Sequence, residues 1–248
     1  RPLHTAVPPT AVLPSPLPAV ITADQAAALS SLEKLDDYPL YTMRYAGTYD
    51  ALPPPPAAVA PAGAAPWGCS LFAALGSPGG MVYGRNFDWD DSPALLLSLD
   101  PPDGYASVSM VDIAYLGFVG EGAGRLLDLP LEERLPLLYA ALIPFDGMNE
   151  AGLAVGMAAV PGSPMPGGPG KATVDSLRVI REMLDRAATV DQALAVLGSY
   201  NIDWGSGPPL HYLIADRSGR AVLVEFYQGE MVTFPNAGPW HQATNFLH

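Results

Sequence analysis

Four consecutive prolines, Pro53 to Pro56, sit inside the run ALPPPPAAVAPAGAAPWG, and neither a helix interior nor a central strand can pass through them. Residues 51–68 therefore read as a stiff, polyproline-like linker that divides the 248-residue chain into two unequal blocks. The smaller block is expected to hold an extended arm over the proline-rich residues 1–20, then a helix over about 22–37. Thr22 and Gln25 mark that helix's start with a capping-box pattern, and Pro39 stops it. LYTMRYAGTY, rich in aromatic and β-branched residues, predicts a strand over about 40–49.

The larger block, residues 69–248, reads as an α+β domain with mostly antiparallel sheet. CSLFAAL and MVYGRNFDW flank the turn GSPGG and predict a β-hairpin, with ALLLSLD and YASVSMVDI as the next strands. LEERLPLLYAAL is amphipathic but holds Pro136, so it predicts a kinked or broken helix. DGMNEAGLAVGMAAV predicts a turn at Asn149 to Gly152 followed by an apolar strand. TVDSLRVIREMLDRA and TVDQALAVLGSY predict two helices, each opened by a threonine cap. LHYLIADRSGRAVLVEFYQGEMVTF predicts a three-stranded meander turning at DRSG and YQGE.

Composition narrows the function classes. With 12 Lys and Arg against 25 Asp and Glu, the net charge of -13 disfavours a nucleic-acid partner, which is bound through clustered cations. Prolines and charges interrupt every candidate for the roughly 18 apolar residues of a spanning helix. A single cysteine, Cys69, excludes an internal disulfide and any multi-cysteine metal site.

That cysteine opens the predicted hairpin. With the turn centred near Pro78, Cys69 falls opposite Phe87 or Asp88, and Arg85 and Asp88 come within reach of the thiol. Strand alternation places those two on opposite faces unless the strand bends, for which Gly84 offers a bulge. A guanidinium beside a thiol favours the reactive thiolate. The same pattern also suits a buried cysteine acting as a small hydrophobe beside a solvated strand end.

The cluster resembles the N-terminal nucleophile hydrolases of the choloylglycine hydrolase, penicillin V acylase and acid ceramidase group. The likeness rests on Cys69 with GRNFDW, on GMNEAGLAV at 147–155, and on the meander ending in ATNFLH. It implies a four-layer αββα sandwich and a break of the Gly68–Cys69 bond, with residues 1–68 as a propeptide. It implies Cys69 as nucleophile through sulfur and general base through its freed amino group, whose ordinary pKa of about 7.7–8.0 suits proton exchange at neutral pH. Asp88 would hold that amino group, Arg85 would steady the thiolate, and Asn245 would donate to the oxyanion. Asn149 is a further candidate for substrate or oxyanion contact, although NEAG favours Asn simply as a turn residue.

The implied activity is hydrolysis of a linear, non-peptide N-acyl amide, with a small-molecule substrate and no metal or organic cofactor. A homo-oligomer and an exported location are compatible with it. Two departures stand against the pattern. Ala159 occupies the place of a second oxyanion asparagine, and the family continues past its TN element, whereas this sequence stops at His248, which suggests a missing or separate C-terminal portion. An unprocessed, inactive binding protein of the same fold is the alternative from another class. A Cys/His hydrolase using His211 or His241 is a weaker one, since nothing in the sequence marks a third, orienting residue.

Overall fold

The computed structural model describes residues 21–36, 38–49, 52, 68–76, 80–88, 92–162 and 165–248. The arm expected over 1–20, nearly all of the proline-rich linker, the hairpin turn and Trp89 lie outside the described residues.

Helix α1 spans Ala23–Ser30 and carries the expected capping box between Thr22 and Gln25. It ends earlier than the helix formers suggest, because Glu33–Lys34 forms a short strand, β1, that pairs antiparallel with β2, Leu40–Ala46. The remaining strands are β3 Gly68–Ala74, β4 Val82–Asp88, β5 Ala94–Asp100, β6 Ser107–Asp112, β7 Asp146–Asn149, β8 Ala154–Ala159, β9 Ala172–Asp175, β10 Tyr200–Asp203, β11 Leu210–Ala215, β12 Ala221–Tyr227, β13 Glu230–Pro235 and β14 Trp240–Ala243. The other α-helices are α2 Gly120–Ala123, α3 Leu131–Arg134, α4 Arg178–Arg186 and α5 Val190–Gly198. After α3 the chain tightens into a 3-10 helix over Leu135–Leu142, the break that Pro136 predicts.

Nine strands form one sheet in the order β1-β2-β5-β6-β7-β8-β11-β12-β13. Its neighbours are antiparallel except β2 and β5, which run parallel. The strand expected over 40–49 is thus an internal member of the large sheet, with Tyr41, Met43 and Tyr45 buried in a core shared with α1, β5 and the 3-10 helix. Cores on the helical side also join Val155, Met157 and Ala159 of β8 to Val179, Ile180, Met183 and Leu184 of α4. Arg181 of α4 is fully buried there, donating to Ala141 O, Ser107 Oγ and Asp185 Oδ1 at 3.0, 2.8 and 3.0 Å.

Against the opposite face lies a three-stranded sheet ordered β14-β3-β4. Cys69, Leu71 and Ala73 point inward to meet Ala158, Leu213, Ala215 and Leu223 of the large sheet. Of the four layers the family resemblance implies, the described residues form three: helices, large sheet and small sheet. The outer face of the small sheet exposes Phe72, Val82 and Trp240.

Two local expectations are corrected. Thr173 lies in β9, paired in parallel with Asn201 of β10, and cannot cap a helix. Asp175 instead accepts from Leu177 N at 2.8 Å and Arg178 N at 3.4 Å, so α4 begins five residues after Thr173. At β4 no bulge forms: the pairing with β3 runs without interruption from Gly68↔Asp88 to Ala74↔Val82. The hairpin reaches the large sheet closely because Gly156 has no side chain, and a Cβ there would lie 2.7 Å from both Leu71 Cδ2 and Tyr83 Oη. Tyr83 uses that space to donate to Leu213 O at 2.9 Å.

Gly156→Ala should therefore force the two sheets apart, and urea unfolding should report a loss of about 1–3 kcal/mol. Unchanged stability would show that the sheets can separate locally at no cost.

Candidate active site

Cys69 is opposite Phe87 in the hairpin, so its side chain enters the layer between the sheets, where it is 4% exposed. Its sulfur and its backbone nitrogen meet different partners. The backbone N–H donates to Asn245 Oδ1 at 2.5 Å, and Arg85 Nη2 lies 3.8 Å from Sγ. Asn245 follows β14, which pairs with β3 from Leu71 to Ala74, so the end of the sequence is brought beside the start of the hairpin by strand pairing.

Asn245 is bonded at both ends of its amide. While Oδ1 accepts from Cys69, Nδ2 donates to Ala159 O at 2.7 Å. Ala159 thus enters the site through its backbone, with no side-chain donor to offer.

Arg85 pairs with Leu71 in the register and shares the inward face. Its side chain is 3% exposed, and it lies over the Phe87 ring at 3.4 Å from the centroid. Nη1 donates to Asp146 Oδ2 at 3.3 Å and Phe145 O at 3.4 Å, and Nη2 meets Met157 Sδ at 3.5 Å. Asp146 carries no mark in the sequence, although it begins the DGMNEAG segment. Only its position opposite Gly156 on β8 turns it toward the arginine.

Asp88 stands apart from the thiol. It pairs with Gly68 on the outer face of the small sheet, is exposed, and accepts from Asn86 Nδ2 at 2.5 Å. A Cβ on Gly68 would lie 2.8 Å from Asp88 Cβ, so this carboxylate borders the Gly68–Cys69 bond on the side away from sulfur.

Asn149, a candidate for substrate contact, borders the larger of two hollows described below but is bonded into the fold. It is buried, its Nδ2 donates to Leu184 O and Ala187 O at 2.8 and 2.7 Å, and its Oδ1 accepts from Leu153 N at 3.0 Å. Both amide hydrogens fasten the β7–β8 turn to the end of α4, and the oxygen closes the turn itself. Gly152, at φ 88°, completes that turn in the left-handed region that favours glycine. The histidines do not approach the thiol as a base. His211 is fully buried against Glu225, and His241 Nε2 lies 2.8 Å from Phe234 O.

Beside Arg85 the small sheet stops at its edge strand β4, while the large sheet continues. The step forms an open hollow of about 310 Å³, with Tyr83, Arg85 and Phe87 as wall and Leu96, Val108, Met110 and Met148 on the floor. A second hollow of about 550 Å³ shares Val108 and Met148 and extends to Arg44, Ser98 and Glu150. ALLLSLD thus serves two purposes: Leu95, Leu97 and Leu99 fill the core, while Leu96 and Ser98 face the step. In YLGFV, by contrast, Leu116 is core, Phe118 packs against it and Val119 is exposed.

Residues 132–245 match the model of the linear amide C-N hydrolases, choloylglycine hydrolase family. Those residues are of the choloylglycine hydrolase family. The matched segment runs from α3 through the β7–β8 turn to Asn245, and Cys69 precedes it.

Among solved structures, the chain is similar to penicillin V acylase from Agrobacterium tumefaciens at 21% identity, covering 67% of this chain and 41% of that one, with a TM-score of 0.36. It is similar to a mutant of conjugated bile acid hydrolase from Clostridium perfringens at 17% identity, covering 73% and 54%, with a TM-score of 0.49. An N-acylethanolamine-hydrolyzing acid amidase ortholog from Caenorhabditis elegans matches at 14% identity over 73% and 71%, with a TM-score of 0.46. The chain spans about half the length of the acylase and bile acid hydrolase. Among the described residues, no helix is long and apolar enough to cross a membrane.

Burial raises the Asp146 carboxyl above its ordinary 3.8, with Arg85 pulling against the rise. The folded state therefore holds this proton more tightly than the unfolded chain. The associated stability is complete below pH 3.8 and is lost as pH rises through the folded value. Asp146→Asn should lack that loss, so the difference between the variant and the native chain in urea unfolding should change in the variant's favour as pH rises from 3.8. A difference that stays constant with pH would contradict the assignment.

Proposed function

We propose that this protein is a cysteine amidase that hydrolyses linear N-acyl amides through a thioester, after breaking its own Gly68–Cys69 bond. The observation that carries the reading is the separation of partners at one residue: Asn245 at the Cys69 nitrogen and Arg85 at its sulfur.

Self-cleavage begins with attack of Sγ on the Gly68 carbonyl carbon. The C–N bond breaks, the thiol proton passes to the Cys69 nitrogen, and Gly68 becomes a thioester on sulfur. Water then releases the Gly68 carboxylate and leaves Cys69 with a free amino group. That group is a base where the amide nitrogen was not. Asp88, bordering the position that Gly68 vacates, would hold the new ammonium.

In the substrate cycle the amino group takes the thiol proton as Sγ attacks the substrate carbonyl, then delivers it to the departing amine. Water hydrolyses the thioester and regenerates the thiol. Arg85, held by Asp146, would favour the thiolate. Asn245 Nδ2, turned from Ala159 O toward the reacting carbonyl, would supply an oxyanion donor. Because Ala159 has no side-chain amide, that donor carries a large share of the stabilisation.

The N-terminal piece is proposed to remain bound after cleavage. β2 lies between β1 and β5 with three aromatic or sulfur side chains buried, and Tyr49 Oη donates to Asp185 on α4. Its removal would expose the core over which β2 lies, so the mature enzyme is expected as two associated chains. The apolar floor of Leu96, Val108, Met110 and Met148 favours an apolar acyl group laid along the step.

Cys69→Ala should abolish both the self-cleavage and hydrolysis of a panel of N-acyl amines, phenoxyacetyl amides and conjugated bile acids. Asn245→Ala should lower kcat about 100 to 1,000-fold. Turnover by Cys69→Ala at the native rate would end the proposal. Val108→Arg, which places a cation on the floor, should raise KM about 10-fold or more for long acyl groups and spare acetyl amides. Equal effects on both would place the acyl group elsewhere.

A further inference from the structure

We propose that His211 and Glu225 are positioning residues: a buried pair that straps the terminal turn, residues 244–248, so that Asn245 meets Cys69. The inference rests on the proposed role of Asn245 for its kinetic consequence, but not for its structural one.

The register between β11 and β12 pairs Tyr212 with Val224 and Leu213 with Leu223, so one step further His211 stands opposite Glu225. Both side chains enter the layer between the sheets, 0% and 4% exposed, in a surrounding of Ala158, Leu213 and Leu223. An acid and an imidazole in such a place are costly unless their polar atoms are used. Here they are used on the terminal turn. Glu225 Oε1 lies 3.2 Å from His211 Nδ1, and its two oxygens accept from His248 N at 3.2 and 3.1 Å.

The buried pair therefore grips the turn at His248, three residues after the one whose amide meets Cys69 N and Ala159 O. Among the described residues, His211 Nε2 and Thr244 Oγ1 are also buried without hydrogen-bond partners, so the polar interior under this turn extends beyond the single Glu225 contact. The Phe234 ring meets the His248 ring edge to face at 5.2 Å and supports the same end.

The groups facing His211 are Glu225 from β12 and His248 from the turn, and its neighbour on β8 is Ala158. Burial lowers the His211 pKa and Glu225 opposes the change.

The test compares Glu225→Ala and Glu225→Gln, each alone and with Asn245→Ala, by kcat, KM and amide hydrogen exchange over residues 243–248. Glu225→Ala is expected to lower kcat roughly 10 to 100-fold with KM nearly unchanged, as a small misplacement of a reacting group does. It should also speed exchange in the turn. Glu225→Gln, whose Oε1 can accept from both His211 and His248, should restore most of both readouts. In the Asn245→Ala background, Glu225→Ala should cost less than about 2-fold more, because residues acting through one group are not additive. Full additivity with Asn245→Ala, or turn exchange unchanged by Glu225→Ala, would overturn the proposal. If no amide is hydrolysed by the native chain, the amidase reading fails by itself, and the exchange measurement alone then decides the strap. His211→Phe keeps the reading testable where Glu225→Ala does not fold, with the same acceleration expected.

Discussion

One hydrogen bond, from the Cys69 backbone N–H to Asn245 Oδ1, joins the first strand after the proline-rich run to the turn after the last strand. It forms only because β3 is the middle strand of the small sheet, with β4 on one side and β14 on the other. The hairpin brings Arg85 to the sulfur of Cys69, and the β14 pairing brings Asn245 to its nitrogen. The large sheet supplies the support beneath: Asp146 from β7 for Arg85, and Ala159 O from β8 for Asn245. Elements far apart in sequence thus converge on the two atoms of one residue that the proposed chemistry would use.

The fit between the sheets limits how these parts can move. Tyr83 reaches through the space over Gly156 to Leu213 O, and Leu71 fills the remainder. Arg85 is bonded to Asp146 and stacked on Phe87, and His211 is paired with Glu225. Breaking one member of such a pair leaves an uncompensated buried group, which typically costs about 3–5 kcal/mol. The same layer that places Cys69 therefore also makes its supports sensitive to substitution.

Much of this was legible in the sequence where local chemistry decides structure. Thr22 with Gln25 and Thr189 with Gln192 act as the helix caps they resemble, and the hairpin register follows from the turn. Alternation already separated Arg85 from Asp88. What failed depended on partners distant in the chain. Thr173 looks like a cap until β10 recruits it as a strand, and the α1 pattern runs on until Glu33 pairs with Thr42. Asp146 and Glu225 gain meaning only from what faces them across a sheet, and no local pattern marks that. Asn149 suits both a turn and a site, and its immediate neighbourhood in sequence could not reveal that Leu184 and Ala187 occupy its donors. The strand over 40–46 was readable as a strand, but its place inside the large sheet follows from a parallel pairing across the linker with β5.

The central claim is that the Gly68–Cys69 bond breaks and both pieces stay in one folded molecule. Mass spectrometry of the purified native chain tests it most directly, measured first under native and then under denaturing conditions. The account predicts a native mass equal to the intact chain plus one water, separating on denaturation into pieces that end at Gly68 and begin at Cys69. Cys69→Ala should stay intact under both conditions. An uncut native chain that hydrolyses N-acyl amides at full rate would contradict the account, as would a cut chain whose first piece is lost without denaturation.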